Sequence, residues 1–213
     1  MTKKELLEMY NYKCEHRHNG LSHQKCYERW KREQVKEGYL DIEVTNLAAN
    51  FGYVLSWFIK TRGKDEFKYG VVDKKDVDKG DFDKTIIQQC IEALNEYDRV
   101  YTYYGTRLDI PYLRTRALYH NLSFPLFGMI KHTDLYYHVK SRLKINSNRL
   151  ETACRTLGIE GKTHLDGKKW MQASCGNKDA LNYVVDHNKW DVIILEKLHE
   201  RLEDYYKGTN RSI

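Results

Sequence analysis

In the stretch Gly38-Tyr39-Leu40-Asp41-Ile42-Glu43-Val44, two carboxylates stand two residues apart inside an apolar run. On a β-strand that spacing puts Asp41 and Glu43 on one face and turns Ile42 to the other. Hard divalent cations such as Mg²⁺ and Mn²⁺ take oxygen ligands, so a carboxylate pair aimed at one point begins a site for them. Two later places offer partners. In Tyr104-Gly105-Thr106-Arg107-Leu108-Asp109-Ile110-Pro111 a glycine turn leads into a helix start marked by Pro111, and Asp109 at its head suits a helix cap or a metal ligand. In Tyr183-Val184-Val185-Asp186-His187-Asn188-Lys189-Trp190-Asp191, the residues Tyr183, His187 and Asp191 recur every fourth position. They stack along one helical stripe beside the apolar Val184, Ile194, Leu195 and Leu198. A His one turn before an Asp can set a base beside a metal ligand, and it is equally an ordinary satisfied structural residue. Asp134, directly after a strand-like run, reads as a support residue or another cap.

A different chemistry is written near the start of the chain. Cys14-Glu15-His16-Arg17-His18 and His23-Gln24-Lys25-Cys26 place two Cys and three His within 13 residues. Soft nitrogen and sulfur ligands suit zinc rather than the hard cations of the carboxylates. Four suffice, so Cys14, His23, Cys26 and one of His16 or His18 would close a tetrahedral structural site, with the remaining His in solvent. The plain alternative is a His-rich loop with two incidental thiols. The segment has too few apolar residues to order itself, which favours one structural Zn²⁺.

Groups so far apart in sequence need a packed domain to bring them together. With 213 residues, 41% hydrophobic and 13% aromatic, the chain can bury one full core and a small appendage. The pattern predicts a helix over about Lys3–Tyr10, an irregular stretch, and a second helix capped by Ser22 and running to about Glu37, forming an appendage over residues 1–37. Strands follow at Tyr39–Val44, Tyr53–Lys60 and Glu66–Val72, an antiparallel meander with a turn at Thr61-Arg62-Gly63-Lys64-Asp65. A charged loop over residues 73–81 leads to a helix (Lys84–Tyr97), a strand (Arg99–Tyr104), a helix (Ile110–Tyr119) and a short strand near Met129–His132, an alternation that predicts a parallel continuation of the sheet. Helices at Asp134–Lys140, Ser147–Leu157 and Asn177–Tyr206 complete a main domain over residues 38–206, with a tail at 207–213.

The charge balance is modest, with 36 basic and 30 acidic residues and a net of +6. Acidic residues spent inside a metal site would leave the remaining surface more basic, which suits a polyanionic partner. Several of the 17 tyrosines stand next to basic residues, as in Tyr101-Thr102-Tyr103-Tyr104-Gly105-Thr106-Arg107, where exposed rings would stack bases and buried ones would pack the core. Five unevenly spaced cysteines do not read as a disulfide framework. No apolar run reaches the roughly 18–20 residues of a membrane span and no signal-peptide pattern opens the chain, so an intracellular protein without a membrane partner is expected.

The order of these pieces, D-x-E on a strand, an Asp after a strand–Gly–helix turn and H-x-x-x-D on a late helix, resembles the ribonuclease H-like exonucleases of the DEDD group. It is most similar to the YprB-type ribonuclease H-like domains and to the proofreading exonuclease domain of family-B DNA polymerases, over about Gly38 to Leu202. The resemblance implies an α/β fold, a ribonuclease H-like mixed sheet flanked by helices. It also implies a two-metal nuclease, a 3′–5′ exonuclease that hydrolyses phosphodiester bonds of single-stranded DNA or RNA with two Mg²⁺ or Mn²⁺ ions. By the family pattern Asp41 would bridge the ions, Glu43 and Asp191 would hold the ion that activates water, and Asp109 would be an outer ligand of the second. The family positions the attacking water with a Tyr four residues before the last Asp or a His five before it. Here His187 stands four before Asp191, so it becomes the base or water-positioner, with Tyr183 a second candidate one turn back.

Tyr104 and Leu108 stand where the family often carries Asn and Phe, and Tyr104, Arg107, Arg114 and Lys168 are the residues expected against nucleic acid. The alternatives are a structure-specific endonuclease or RNase, or a non-catalytic module binding strands through Arg107, Arg114, Arg116, Lys168 and Lys169. The presence of all four carboxylates favours the enzyme. The Cys/His segment ahead of such a domain resembles some phage-like proteins, which implies a cytoplasmic setting in a phage or bacterial host cell.

Overall fold

The computed structural model describes residues 3–161 and 166–205. The chain divides into two compact units, residues 1–36 and 37–213. The first holds α1 (Lys3–Asn11) and α2 (Gln24–Glu33). α2 ends four residues before the expected Glu37, which instead opens the first strand. Ser22 does not cap it, because its hydroxyl turns back to donate to Asn19 Oδ1 at 2.9 Å.

The second unit is built on five strands: β1 (Glu37–Val44), β2 (Val54–Thr61), β3 (Phe67–Val71), β4 (Arg99–Thr102) and β5 (Lys131–Asp134), in the order β3-β2-β1-β4-β5. The expected meander is present, with β1–β2 and β2–β3 antiparallel, and the expected parallel continuation is β1–β4 and β4–β5. β2 is buried along its whole length, as an apolar strand covered on both faces must be. β1 alternates. Leu40, Ile42 and Val44 enter the larger core, which also takes α4 (Lys84–Leu94) and α5 (Asp109–Tyr119). Tyr39 instead joins the opposite cluster with Val192 and Leu195 of α9 (Lys178–Leu202), so Asp41 and Glu43 share the α9 side.

Two strands and one loop departed from expectation for identifiable reasons. β4 ends at Thr102 rather than Tyr104 because Tyr104 takes a left-handed backbone, φ 67°, and Gly105 packs so closely that a Cβ there would lie 2.3 Å from Thr102 Oγ1. β5 lies two residues later than expected because its buried residues are the polar His132, Thr133 and Asp134, which carry no apolar pattern. The charged loop after Asp73 contains α3 (Lys74–Lys79), held by the Asp73 side chain at its head and the left-handed Gly80 at its end. With no buried residue, α3 shows no apolar stripe to read. The remaining helices are α6 (Leu135–Arg142), α7 (Leu150–Thr156) and α8 (Gly167–Ser174), the last unassigned in the sequence. α9 gives way to a 3-10 turn at Glu203–Tyr205, so the expected helix end at Tyr206 and the tail at 207–213 fall outside the described residues.

A buried ionic knot fixes α5 against the sheet. Asp83, fully buried at the head of α4, accepts from Arg116 Nη2 at 2.7 Å and from the Val54 N–H at 2.8 Å, and faces His120 Nε2 at 2.7 Å. Arg116, expected on a basic surface, is therefore only 4% exposed. Because α5 carries Asp109, this knot also positions the site. Replacing Asp83 with Ala would leave the guanidinium buried without its counter-charge, and the urea midpoint should report a loss of about 3–5 kcal/mol.

Candidate active site

Asp41 and Glu43 project from β1 onto α9, and a bulge in the β1–β2 ladder falls directly after Glu43, where Val44 pairs with Val54. Bulges of this kind re-aim side chains beside sites. Opposite Glu43, one turn of α9 supplies His187 and Asp191. His187 Nε2 lies 4.0 Å from Glu43 Oε1 and 3.8 Å from Asp191 Oδ2, and all three residues present ligand atoms within 4.8 Å of one another. Asp41 stands two residues before Glu43 on the same face but outside that group, its Oδ2 accepting from Asn188 Nδ2 at 2.6 Å. Asn188 is fully buried and accepts in turn from Ser56 Oγ at 3.1 Å, so a β2 hydroxyl, an α9 amide and a β1 carboxylate form one chain of hydrogen bonds.

Asp109 is only 2% exposed and opens α5, but it is not the cap residue; that position belongs to Leu108. Its Oδ1 accepts from the Ile42 N–H at 3.2 Å. The β1–β4 register ends at Tyr39 and Tyr101, so beyond that point the β4-facing side of β1 needs another acceptor, and Asp109 provides one. This brings the second-motif carboxylate to the backbone between Asp41 and Glu43. Burial pushes the Asp109 carboxyl up to about 7; its own N–H and that of Ile42 oppose the rise, and Asp134 and Asp191 add to it.

Asp134 shapes the approach to Asp109. It caps α6 by accepting from the Tyr136 N–H, and it accepts from the Tyr104 N–H at 2.8 Å and the Thr106 N–H at 3.0 Å. One carboxylate thus serves as both the support and the cap that the sequence left as alternatives, and it holds the strained Tyr104 turn in place.

The remaining expected residues are more dispersed. Tyr183 directs its hydroxyl to the Asp166 N–H at 3.1 Å and lies under Lys169 Nζ, outside the carboxylate group. Tyr104 is exposed, edge-on to Tyr136; Arg107 and Lys168 are exposed; Arg114 lies over the Phe124 ring. Tyr101 is buried against Tyr39 and His199 and has no open face for a base.

Two contributors went unread in the sequence. Trp170 of α8 sets its ring edge-on to His187 at 5.7 Å and donates from Nε1 to Val44 O at 3.0 Å, which walls in the histidine. Asn188 had a readable signal, since it falls on the stripe Val184, Asn188, Asp191, Leu195 that must face the core, where a polar side chain demands a partner.

In the first unit, Cys14, His16, His23 and Cys26 bring one ligand atom each within 4.8 Å of the others, while His18 stays exposed outside that set with its ring edge-on to His23. Among the described residues no helix is long and apolar enough to cross a membrane.

The profile of the RNase_H superfamily matches residues 38–203, nearly the whole second unit. The chain belongs to the RNase_H superfamily. The ribonuclease H-like fold expected from motif order is thus the fold found. Among curated relatives of this RNase_H member is a DNA polymerase of Methanocaldococcus jannaschii, 22% identical over 137 residues, which is 62% of this chain and 7% of the polymerase. The family B DNA polymerase of the hyperthermophilic archaeon Pyrobaculum calidifontis matches with a TM-score of 0.67 and 18% identity, over 79% of this chain and 24% of that one. The chain therefore spans a small part of either polymerase, and at this identity the likeness is one of fold.

The raised Asp109 has a measurable consequence. Unfolding returns it to the usual carboxylate range near 4, so between about 4 and about 7 the folded chain holds a proton the unfolded chain has lost, and this group's contribution to stability falls as pH rises through that window. His199, lowered to about 3 chiefly by burial, tilts the other way. The difference between wild type and Asp109→Asn isolates the effect: in EDTA the variant should lose less stability, or gain more, from pH 4 to 7 by urea midpoint. Identical profiles would show that Asp109 does not carry the shift.

Proposed function

We propose that the chain is a metal-dependent nuclease, a 3′–5′ exonuclease that hydrolyses phosphodiester bonds of single-stranded DNA or RNA. The observation that carries this reading is the convergence of Glu43, His187 and Asp191 within 4.8 Å, with Asp41 on the same strand face and Asp109 at the intervening backbone, in a member of the RNase_H superfamily. The donor set fits hard divalent cations, because clustered carboxylates repel as anions and a buried one such as Asp109 gains from a cation beside it. Asp41, Glu43, Asp109 and Asp191 would hold two Mg²⁺ or Mn²⁺, which supply an activated water and charge stabilisation at the leaving oxygen. The softer donors of residues 1–36 suit a different ion.

The protein's own groups account for the rest. Asn188 holds Asp41 in one rotamer by donating to Oδ2. His187, walled by Trp170 and facing Glu43 and Asp191, would serve as the base or water-positioner.

A basic cleft supports a strand path. Its volume is about 810 Å³, and Arg107, His138, Lys140 and Arg142 line it beside Asp134, whose charge is spent on three backbone N–H groups. Phosphates running through this cleft would pass the exposed Tyr104 ring, which offers a face to a base. Arg114 and Lys168 would extend the contact on the outer faces of α5 and α8.

End-labelled single- and double-stranded DNA and RNA in Mn²⁺ provide the test. Stepwise shortening from the 3′ end is expected, and internal cuts would instead point to an endonuclease. Asp41→Asn or Asp191→Asn should each lower the rate at least about 10³-fold, and His187→Phe about 10²-fold; wild-type rates in both Asp variants would sink the assignment. The double variant Lys140→Glu/Arg142→Glu should raise KM for a single-stranded oligonucleotide about tenfold and flatten its salt dependence, and an unchanged KM would remove the cleft from the strand path.

A further inference from the structure

We infer that the N-terminal unit is a structural zinc centre whose ligands are Cys14 Sγ, His16 Nδ1, His23 Nδ1 and Cys26 Sγ, and that His18 is not one of them. The inference is independent of the nuclease reading and rests on three observations.

The first is donor spacing. Cys14 Sγ lies 3.3 Å from His23 Nδ1 and 3.8 Å from His16 Nδ1, and Cys26 Sγ lies 3.9 Å from His16 Nδ1. A tetrahedral Zn²⁺ with bonds of about 2.3 Å to sulfur and about 2.0–2.1 Å to nitrogen spaces a sulfur and a nitrogen ligand about 3.6 Å apart. The three separations bracket that edge, and both histidines present the same ring nitrogen. Four donors close the tetrahedron and leave no open position, the arrangement of a structural rather than a catalytic ion.

The second is the backbone that carries the donors. Lys13 and Asn19 form an antiparallel bridge, the Cys14 N–H donates to His18 O, and the Arg17 N–H donates to Cys14 O across a left-handed Arg17. Across this tight knuckle Cys14 and His16 bring ligand atoms into one group with His23 and Cys26, while His18, exposed like His16, lies outside that group. His23 directly precedes α2 and Cys26 lies in its first turn, with the Cys26 N–H donating to His23 O, so one helix start presents the second pair.

The third is the poverty of the apolar core. Among the described residues of this unit, the buried hydrophobic side chains are Met9, Cys14 and Tyr27, supported by a Tyr12, Tyr27 and Trp30 cluster. Ordering each residue costs roughly 1–2 kcal/mol of backbone entropy, far more for 36 residues than three buried side chains return. A metal bound to the folded form and not to the unfolded one supplies the difference.

Elemental analysis of the full chain, purified under reducing conditions, should find about one zinc per chain. Asp41→Asn should keep that stoichiometry, which separates this centre from the carboxylates. His18→Ala should also keep it, whereas Cys14→Ser, Cys26→Ser, His16→Ala or His23→Ala should lose it. Should a ligand variant fail to fold, Co²⁺ exchanged into the intact chain is the second readout: tetrahedral d–d bands with thiolate charge-transfer absorption are expected. Chelation should open residues 12–27 to protease while the RNase_H unit resists. No zinc in the reduced wild type, a mass 2 Da low from a Cys14–Cys26 disulfide, or loss of zinc in His18→Ala would each overturn the inference.

Discussion

Carboxylates gathered in a low-dielectric place repel one another, and the second unit is arranged around holding Asp41, Glu43, Asp109, Asp134 and Asp191 near one end of β1 despite that cost. For Asp41, Asp109 and Asp134 the solution is a hydrogen-bond donor fixed by the fold. Asp41 receives the Asn188 amide, Asp109 receives the Ile42 N–H that β4 leaves behind, and Asp134 is met by three backbone N–H groups. Donors preset in this way stabilise the charged form without having to reorganise. The residual strain shows at Asp109, which stays raised because its two N–H contacts do not offset burial and the neighbouring charges.

α9 is the element that makes the convergence possible. Along one face it presents Val192 and Leu195 to the sheet, Asn188 to Asp41, and His187 and Asp191 to Glu43. Further along it, Tyr39 meets His199 Nδ1 at 2.7 Å, and Glu196 pairs with Lys60 and accepts from the Gly63 N–H. These buried polar contacts set the helix in register along β1 and β2, so a shift of one turn would break hydrogen bonds at both ends together. α8 adds a lateral stop, with Trp170 anchored to Val44 O and its ring against His187.

The loop between β4 and α5 shows how strain is kept local. Tyr104 holds a left-handed backbone that a large side chain avoids, and Gly105 accepts a contact with Thr102 that no Cβ would tolerate. Asp134 holds the N–H groups on both sides of that glycine. The same turn sets Tyr104 and Arg107 outward and Asp109 inward, so exposed aromatic, exposed cation and buried carboxylate come from one six-residue stretch.

Local patterns alone determined a good deal. The D-x-E alternation dictated that Asp41 and Glu43 share a face, the four-residue spacing dictated that His187 and Asp191 share a stripe, and the order of strands and helices dictated a meander followed by parallel strands. These are periodicities of the backbone, carried by a few neighbouring residues. The Cys/His spacing likewise announced soft ligands but left His16 and His18 equivalent, and only the turn at Arg17 separates them. What tertiary structure alone decided concerns partners distant in the chain. Asn188 reaches Asp41 across 147 residues, Ile42 reaches Asp109 across 67, and Arg116 was drawn from the surface into the core by Asp83. No local pattern encodes these pairings, because each buried polar group takes whichever partner the packing of distant elements brings within reach.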